Sequence, residues 1–324
     1  MLILFEQTEA LINEAYDAKT TTNMGYTWIK HGKVQSTRWR GIKSSTQFYD
    51  LASLTKVIGT VPAVLVVLSK HRLSLDSKVC SILPEVVDDR ITIRHLITHT
   101  SGVTAWIDNR DALNASELRQ AIYRELSFGE DFNQKVVYND YNYLLLGFIV
   151  EKLQHVPVQT VIENEVLRPL GLHNATFSPS ALQSVPTEDR NGITIRGMVH
   201  DTKAFSLGQH AASAGLFAPM NDVVKFANWM LSDGGKLLND SQMKGFSRNQ
   251  TDNPALERSL GWWISNNAER IVLRHSGFTG TFILLDQQTK NGLVFLSSRV
   301  YPHPNKQFLD FRQKIYESFE NEDR

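Results

Sequence analysis

The sequence predicts an α+β fold in which one antiparallel sheet, flanked by an N-terminal and a C-terminal helix, is built from both ends of the chain around an inserted, mostly helical segment. Three observations carry this. Strand-like runs with turn residues occur early, from Gly25 to Arg40, and resume only near Ile271. Between them the apolar spacing is largely helical. With 324 residues, 42% of them hydrophobic, the chain can bury a sizeable core as two interlocked domains. The expected division is 1–50 with 258–324 for a discontinuous sheet domain and its terminal helices, and 51–257 for the inserted helical domain.

In chain order, a helix from Glu6 to Ala18 precedes a strand from Gly25 to Lys30, a turn at His31-Gly32-Lys33 and a second strand from Val34 to Arg40, together an antiparallel hairpin. An extended approach, Gln47 to Ala52, gives way to a long apolar stretch from Val57 to Leu68, so a helix is expected to begin near Ser53. Helical pattern dominates from Leu51 to about Met198, with loops at Pro84, at His99 to Gly102, at Pro157 and at Arg168-Pro169-Leu170-Gly171. It returns between Asn221 and Leu231, where Val224, Ala227 and Leu231 share a face. Strands follow at Ile271 to His275, Thr279 to Asp286 and, after a turn from Gln287 to Gly292, Leu293 to Arg299. A closing helix runs from about Asn305 to Phe319.

Composition narrows the function classes. Thirty-four basic residues balance thirty-four acidic ones, which gives no global attraction for nucleic acid or anionic lipid. The single Cys80 excludes an intrachain disulfide and a cysteine metal motif, and is expected to pack as a small apolar residue. No apolar run reaches the roughly 20 residues of a membrane span, and the longest candidate contains Pro62. Met1 to Phe5 lacks a basic leader and a cleavage site, so it reads as the start of a helix. The expectation is a soluble, cytoplasmic protein, with export by a route not readable here as the alternative. No pattern speaks to oligomeric state.

Three segments carry chemistry. In Ser53-Leu54-Thr55-Lys56 a hydroxyl at a helix mouth lies three residues from an ammonium on the same face. The helix N-terminus favours the negative charge of an attacking serine, and the lysine takes or steers the departing proton. Tyr138-Asn139-Asp140 places a phenol and a carboxylate two residues apart before a buried-looking helix, and His275-Ser276-Gly277 ends a strand-like run.

This ordered set resembles the motifs of serine β-lactamases and penicillin-binding proteins, in particular the branch related to class C β-lactamases and D-alanyl-D-alanine peptidases, whose second motif is Y-x-N. The segments 96–102, 199–201, 214–217 and 277–281 also look like that branch, and the resemblance covers nearly the whole chain. It implies a β-lactamase/transpeptidase-like fold with the active site in a cleft between the two domains, and no metal or organic cofactor. The implied substrate is a small acyl compound: a β-lactam, a peptidoglycan-like peptide or an ester. Ser53 would form the acyl-enzyme, Lys56 would hold Ser53 and help carry its proton, and Tyr138 would be general base or proton shuttle. Its phenol would be acidified by Lys56 and by protonated His275. The oxyanion hole would be the main-chain N–H groups of Ser53 and Phe278.

Two departures qualify the transfer. Asp140 stands where the branch often has asparagine, so it donates no amide hydrogen and adds negative charge near Lys56. His275 stands in place of lysine and, at an ordinary pKa near ~6.5, would be partly charged at neutral pH. The expectation is therefore weaker selection for a substrate carboxylate and broader ester or amide hydrolysis, with Arg299 as a substitute cation unless it is a solvated strand end. The alternatives are a D-Ala-D-Ala carboxypeptidase, a β-lactamase proper, and a non-enzymatic sensor that acylates and deacylates slowly.

Other features rank lower. His95 and His99 have i, i+4 spacing, but no glutamate completes an H-E-x-x-H zinc pattern, and the segment reads as a helix end. His200-Asp201 with His210 reads either as another catalytic pair or as polar turn residues before a helix, Ser101 and Ser213 lack a nucleophile-elbow surround, and Trp262 and Trp263 are candidates to line a cleft with core packing as the default.

Overall fold

Helix α1 (Glu6–Asp17) leads into the hairpin of β1 (Met24–Lys30) and β2 (Lys33–Arg40), followed by the short β3 (Tyr49–Asp50). The inserted part then runs through α2 (Val61–Lys70), α3 (Ile93–Ile97), β4 (Val103–Thr104), α4 (Ala115–Glu125), β5 (Ser127–Phe128), α5 (Asp140–Gln154) and α6 (Val158–Ile162). It continues with β6 (Glu188–Arg190), β7 (Ile193–Ile195), α7 (Thr202–Leu207), β8 (Phe217–Ala218), α8 (Met220–Leu231) and α9 (Asp240–Phe246). The chain closes with β9 (Trp263–Asn267), β10 (Arg270–Ser276), β11 (Phe282–Asp286), β12 (Asn291–Ser297) and α10 (Gln307–Glu322). This computed structural model describes residues 5–42, 45–232, 235, 237–267 and 270–322; the run Met1 to Leu4, read from sequence as the start of a helix, lies outside them.

The main sheet has the order β2-β1-β12-β11-β10-β9, so strands from the two ends of the chain meet where β1 pairs antiparallel with β12, Tyr26 opposite Phe295. Alternation along the strands sorts side chains to two faces. Phe282, Leu284, Leu293 and Phe295 join Tyr26 and Trp28 against Ile12, Phe308, Ile315 and Phe319 of the terminal helices. Ile283, Leu285, Val294 and Leu296 point the other way, into a larger core shared with α2, α5 and α8. Both faces of β11 and β12 are thus covered, which is why these strands read as continuous apolar runs.

Most element ends shift by one to three residues, as at β12 (Asn291–Ser297, expected from Leu293 to Arg299), and three larger differences have a physical reason. Strand β9 was not foreseen, because Trp-Ile-Ser-Asn-Asn shows no apolar alternation; pairing with β10, Leu273 opposite Ile264, makes it an edge strand. The strand expected from Thr279 begins only at Phe282, since Gly277 N–H bonds the Thr281 carbonyl at 2.7 Å and closes a turn. The first helix of the insertion starts one residue after Ser53 and widens into a π-helical turn over Lys56–Thr60. Pro62 explains the widening: it has no N–H for the Ile58 carbonyl, and Val61 N–H reaches back five residues to Lys56.

Candidate active site

Ser53 is held at the helix mouth by the strand before it. β3 pairs with β8, and the chain then turns through Ala52, whose φ of 46° lies in the left-handed region. The buried Asp50 carboxylate fixes that turn by accepting the N–H of Ala52 and of His200, each at 2.8 Å. Burial pushes its carboxyl up to about 6 in spite of those two donors. Thr55 Oγ1 donates to the Ala52 carbonyl and accepts from Leu216 N–H, tying the segment 214–217 to the same turn.

Lys56 is fully buried, and its three ammonium hydrogens meet three acceptors at 2.8 Å each: Ser53 Oγ, the Ser213 carbonyl and Asp140 Oδ1. Burial opposes its charge, but Asp140 and Tyr138 outweigh burial and hold the ammonium above its ordinary value. The same balance holds the Asp140 carboxyl well below the usual carboxylate range: burial would raise it, and Lys56 and Lys203 overcome that. Asp140 therefore does add the negative charge expected from sequence, in a direct ion pair.

Tyr138 stands over this pair, with Lys56 Nζ 5.2 Å from its ring centroid. The turn 96–102 places it. His99 packs its ring 4.4 Å from that of Tyr138, its carbonyl accepts Val137 N–H, and its Nδ1 meets Asn139 N–H and the Asn142 amide. Asn139 caps α5 through Tyr141 N–H. The i, i+4 histidines hold no metal arrangement: His95 completes a capping box with Thr92, and His99 is a buried prop for the second motif.

The third motif ends β10. Gly277 is required there, since a Cβ would lie 2.4 Å from both the Leu51 carbonyl oxygen and Thr281 Oγ1. Thr279 Oγ1 donates to the Asp50 carbonyl at 2.7 Å, so this turn is bound directly to the approach of Ser53. Ser53 and Phe278 border the same cavity, and their main-chain N–H groups have no protein acceptor among the described residues.

His275 is corrected in one respect. It is 3% exposed, and burial first, then Arg258 and Lys56, hold its imidazole well below the ordinary histidine value. That direction disfavours the imidazolium, so His275 is the weaker source of the partial charge and of the acidifying cation expected of it. Nitrogen-15 spectra should show His275 as a neutral imidazole from pH 8 down to pH 5.5; an imidazolium above pH 6 would reverse this. The cation beside it is the wholly buried Arg258, whose guanidinium lies 4.2 Å from the Trp263 ring centroid and bonds the Gly261 carbonyl.

A cavity of about 580 Å³ opens above Ser53, bordered by Tyr138, Asp140, His200, Trp263, Phe278, Arg299 and Arg312 among others. Arg299 is buried, not solvated as a strand end; its guanidinium lies 4.5 Å from the Phe278 ring centroid and donates to the Asn305 carbonyl. Arg312 on α10 donates to Ser276 Oγ at 3.2 Å. Neither arginine has a carboxylate partner among the described residues. Arg312, Lys203, Arg258 and the ring of His200 were not singled out as site groups from sequence; a basic residue on the closing helix was the one available signal, and it is an ordinary one. Trp262 is core as expected, whereas Trp263 borders the cavity.

His210 turns instead to Glu151, 2.8 Å away, Ser101 is spent on Asn142, and Ser213 serves Lys56 through its carbonyl. Cys80, expected to be packed, is only half-buried. Among the described residues no cluster suits a metal ion, and no helix is long and apolar enough to cross a membrane.

This architecture and cleft are those of β-lactamase-like hydrolases. The family model for β-lactamases matches residues 9–316, and the chain belongs to that family. A protein of Escherichia coli strain K12 named "Putative D-alanyl-D-alanine carboxypeptidase" is 28% identical over 316 residues, covering 81% of this chain and 71% of its own length. Among solved structures, a β-lactamase/D-alanine carboxypeptidase from Pseudomonas syringae superposes with a TM-score of 0.76 at 16% identity, over 98% of each chain. EstCE1, described as a hydrolase with promiscuous acyltransferase activity, superposes at 0.75 with 17% identity, over 97% of this chain and 98% of its own. These two likenesses concern the fold.

Proposed function

We propose that the protein is a serine hydrolase in which Ser53 Oγ attacks the carbonyl carbon of an ester, amide or β-lactam, expels the leaving group and forms an acyl-enzyme that water then cleaves. The observation that carries this reading is the Lys56 ammonium, whose three donors are all engaged and one of which points at Ser53 Oγ at 2.8 Å. A charged, fully bonded lysine orients the hydroxyl and has no lone pair to take its proton. That leaves Tyr138 as the group to receive the proton from Ser53 and return it to the leaving group. Lys56 Nζ, 5.2 Å from the Tyr138 ring centroid, places a positive charge beside the path of that proton. The N–H groups of Ser53 and Phe278 hold the developing oxyanion, and Gly277 lets the backbone approach closely enough to do so. The cavity takes residues from the insertion, among them Ser53, Tyr138 and Asp140, and from β10 and α10, among them His275 and Arg312, which supports the two-domain division expected from sequence.

Arg299 and Arg312 favour a substrate that carries a carboxylate. The expectation of weak carboxylate selection rested on His275; two guanidiniums on the cavity wall with no carboxylate partner among the described residues, that of Arg312 bonded to Ser276 of the third motif, offer the cation elsewhere. This supports a carboxypeptidase-like choice of substrate over a simple esterase. The test is intact mass and product release with p-nitrophenyl acetate, an ester bearing a free carboxylate, and a fluorescent penicillin. Expected are turnover of both esters, a transient adduct mapping to the Ser53 peptide, and, in Arg312→Gln, a fall of about tenfold in kcat/KM for the carboxylate ester relative to the acetate. A penicillin adduct that persists for hours without turnover would instead identify a slow-deacylating sensor.

A further inference from the structure

The charge of Asp140 has a second partner that the motifs do not include. Its Oδ1 holds Lys56 at 2.8 Å, and its Oδ2 holds Lys203 at 3.1 Å. Lys203 in turn bonds Asp201 Oδ2 at 3.0 Å, and Asp201 Oδ1 caps α7 by accepting Ala204 N–H at 2.8 Å. Four charges of alternating sign, Lys56, Asp140, Lys203 and Asp201, thus run from Ser53 to the start of α7. The Lys203 side chain is only 13% exposed, so water screens this chain weakly.

An asparagine at position 140 would offer Lys56 an acceptor without charge. The aspartate offers the same acceptor and adds a full negative charge beside the ammonium that orients Ser53 and faces the Tyr138 ring. Left alone, that charge would cancel the field of Lys56 at both reacting groups. We propose that Lys203 is a positioning residue of the active site: it holds the second oxygen of Asp140 and offsets its charge, so that an aspartate serves where the family's motif has an amide. Among the described residues, the other charged or titratable groups around this pair are Asp201 at the cap of α7, Asp111 on the turn 110–112, His99 behind Tyr138, and Tyr138 itself. The proposal rests on the serine hydrolase reading above.

The experiment is a charge-balance cycle measured on turnover of p-nitrophenyl acetate and on Ser53 labelling by a fluorophosphonate. Lys203→Met should lower kcat by about 30-fold, and Lys203→Arg should stay within about threefold of wild type. Asp140→Asn alone leaves excess positive charge and should fall about tenfold; combined with Lys203→Met it should recover to within about threefold, since the pair is then neutral on both sides. Recovery in the double variant separates charge compensation from a merely structural role, which two truncations cannot repair. If Lys203→Met does not fold, by near-ultraviolet circular dichroism, the comparison of Asp140→Asn with the double variant decides. Lys203→Met within twofold of wild type, or a double variant no faster than the slower single variant, overturns the role. A wild type that neither turns over nor labels at Ser53 overturns the underlying reading and this role with it. An active, labelled wild type without recovery overturns Lys203 alone.

Discussion

Alanine in place of Ser53 should abolish the acyl adduct and lower kcat by roughly 10⁴-fold or more, with the fold intact. The substitution removes one oxygen from a half-buried position and leaves the turn that carries it in place, because that turn is held by Asp50, Thr55 and the β3–β8 pair. Stability should therefore change by less than about 1 kcal/mol. The residual rate would come from binding and from main-chain donors at the oxyanion position, which do not depend on the hydroxyl. Intact mass and kcat on the same preparation make the check. A surviving adduct, or a kcat within tenfold of wild type, would place the nucleophile elsewhere.

Lys56→Met should be nearly as damaging to catalysis, by roughly 10³-fold in kcat, and far more damaging to stability. It removes the donor that orients Ser53, leaves the Ser213 carbonyl unpaired and takes one of two cations from Asp140. Breaking a buried ion pair from one side costs about 3–5 kcal/mol, and the remaining Lys203 contact argues for the lower end.

The pH dependence distinguishes an ammonium from a basic amine. The folded-state pKa of Lys56 is raised, so its contribution is complete below the ordinary value of 10.5 and is lost only as pH rises through the higher folded value. That of Asp140 is depressed, so its contribution is present above the ordinary 3.8 and is lost as pH falls through the lower folded value. Both are intact from pH 5 to pH 9, and the stability penalty of Lys56→Met, measured by urea unfolding, should be flat across that window. A penalty that shrinks between pH 7 and pH 9 would mark a lysine that loses its proton there, and would make Lys56 the base in place of Tyr138.

Much of the architecture is readable in the chain because its signals are local. Strand-like runs bounded by turn residues at both ends announce the sheet, and helical spacing between them announces the insertion. The three motifs are recognisable for the same reason: four residues on one turn set Ser53 beside Lys56, a capped helix start presents Tyr138 and Asp140, and a strand end presents His275 to Gly277. Edge strand β9 escaped, since its residues take strand form only through pairing with β10.

The charge states in the cleft escaped for a deeper reason. A sequence shows that His275 is a histidine and that Arg299 is an arginine near a strand end; it does not show burial or neighbours, which set their charge and reach. The sequence by itself carried the fold class through apolar spacing, and the family and its motif residues through resemblance to known motifs, all of them signals that lie along one chain. Only the tertiary structure decided that His275 is buried beside Arg258, that Arg299 and Arg312 share a cavity wall, and that Lys203 meets Asp140. Those outcomes depend on desolvation and on charges brought within a few ångströms from segments far apart in the chain.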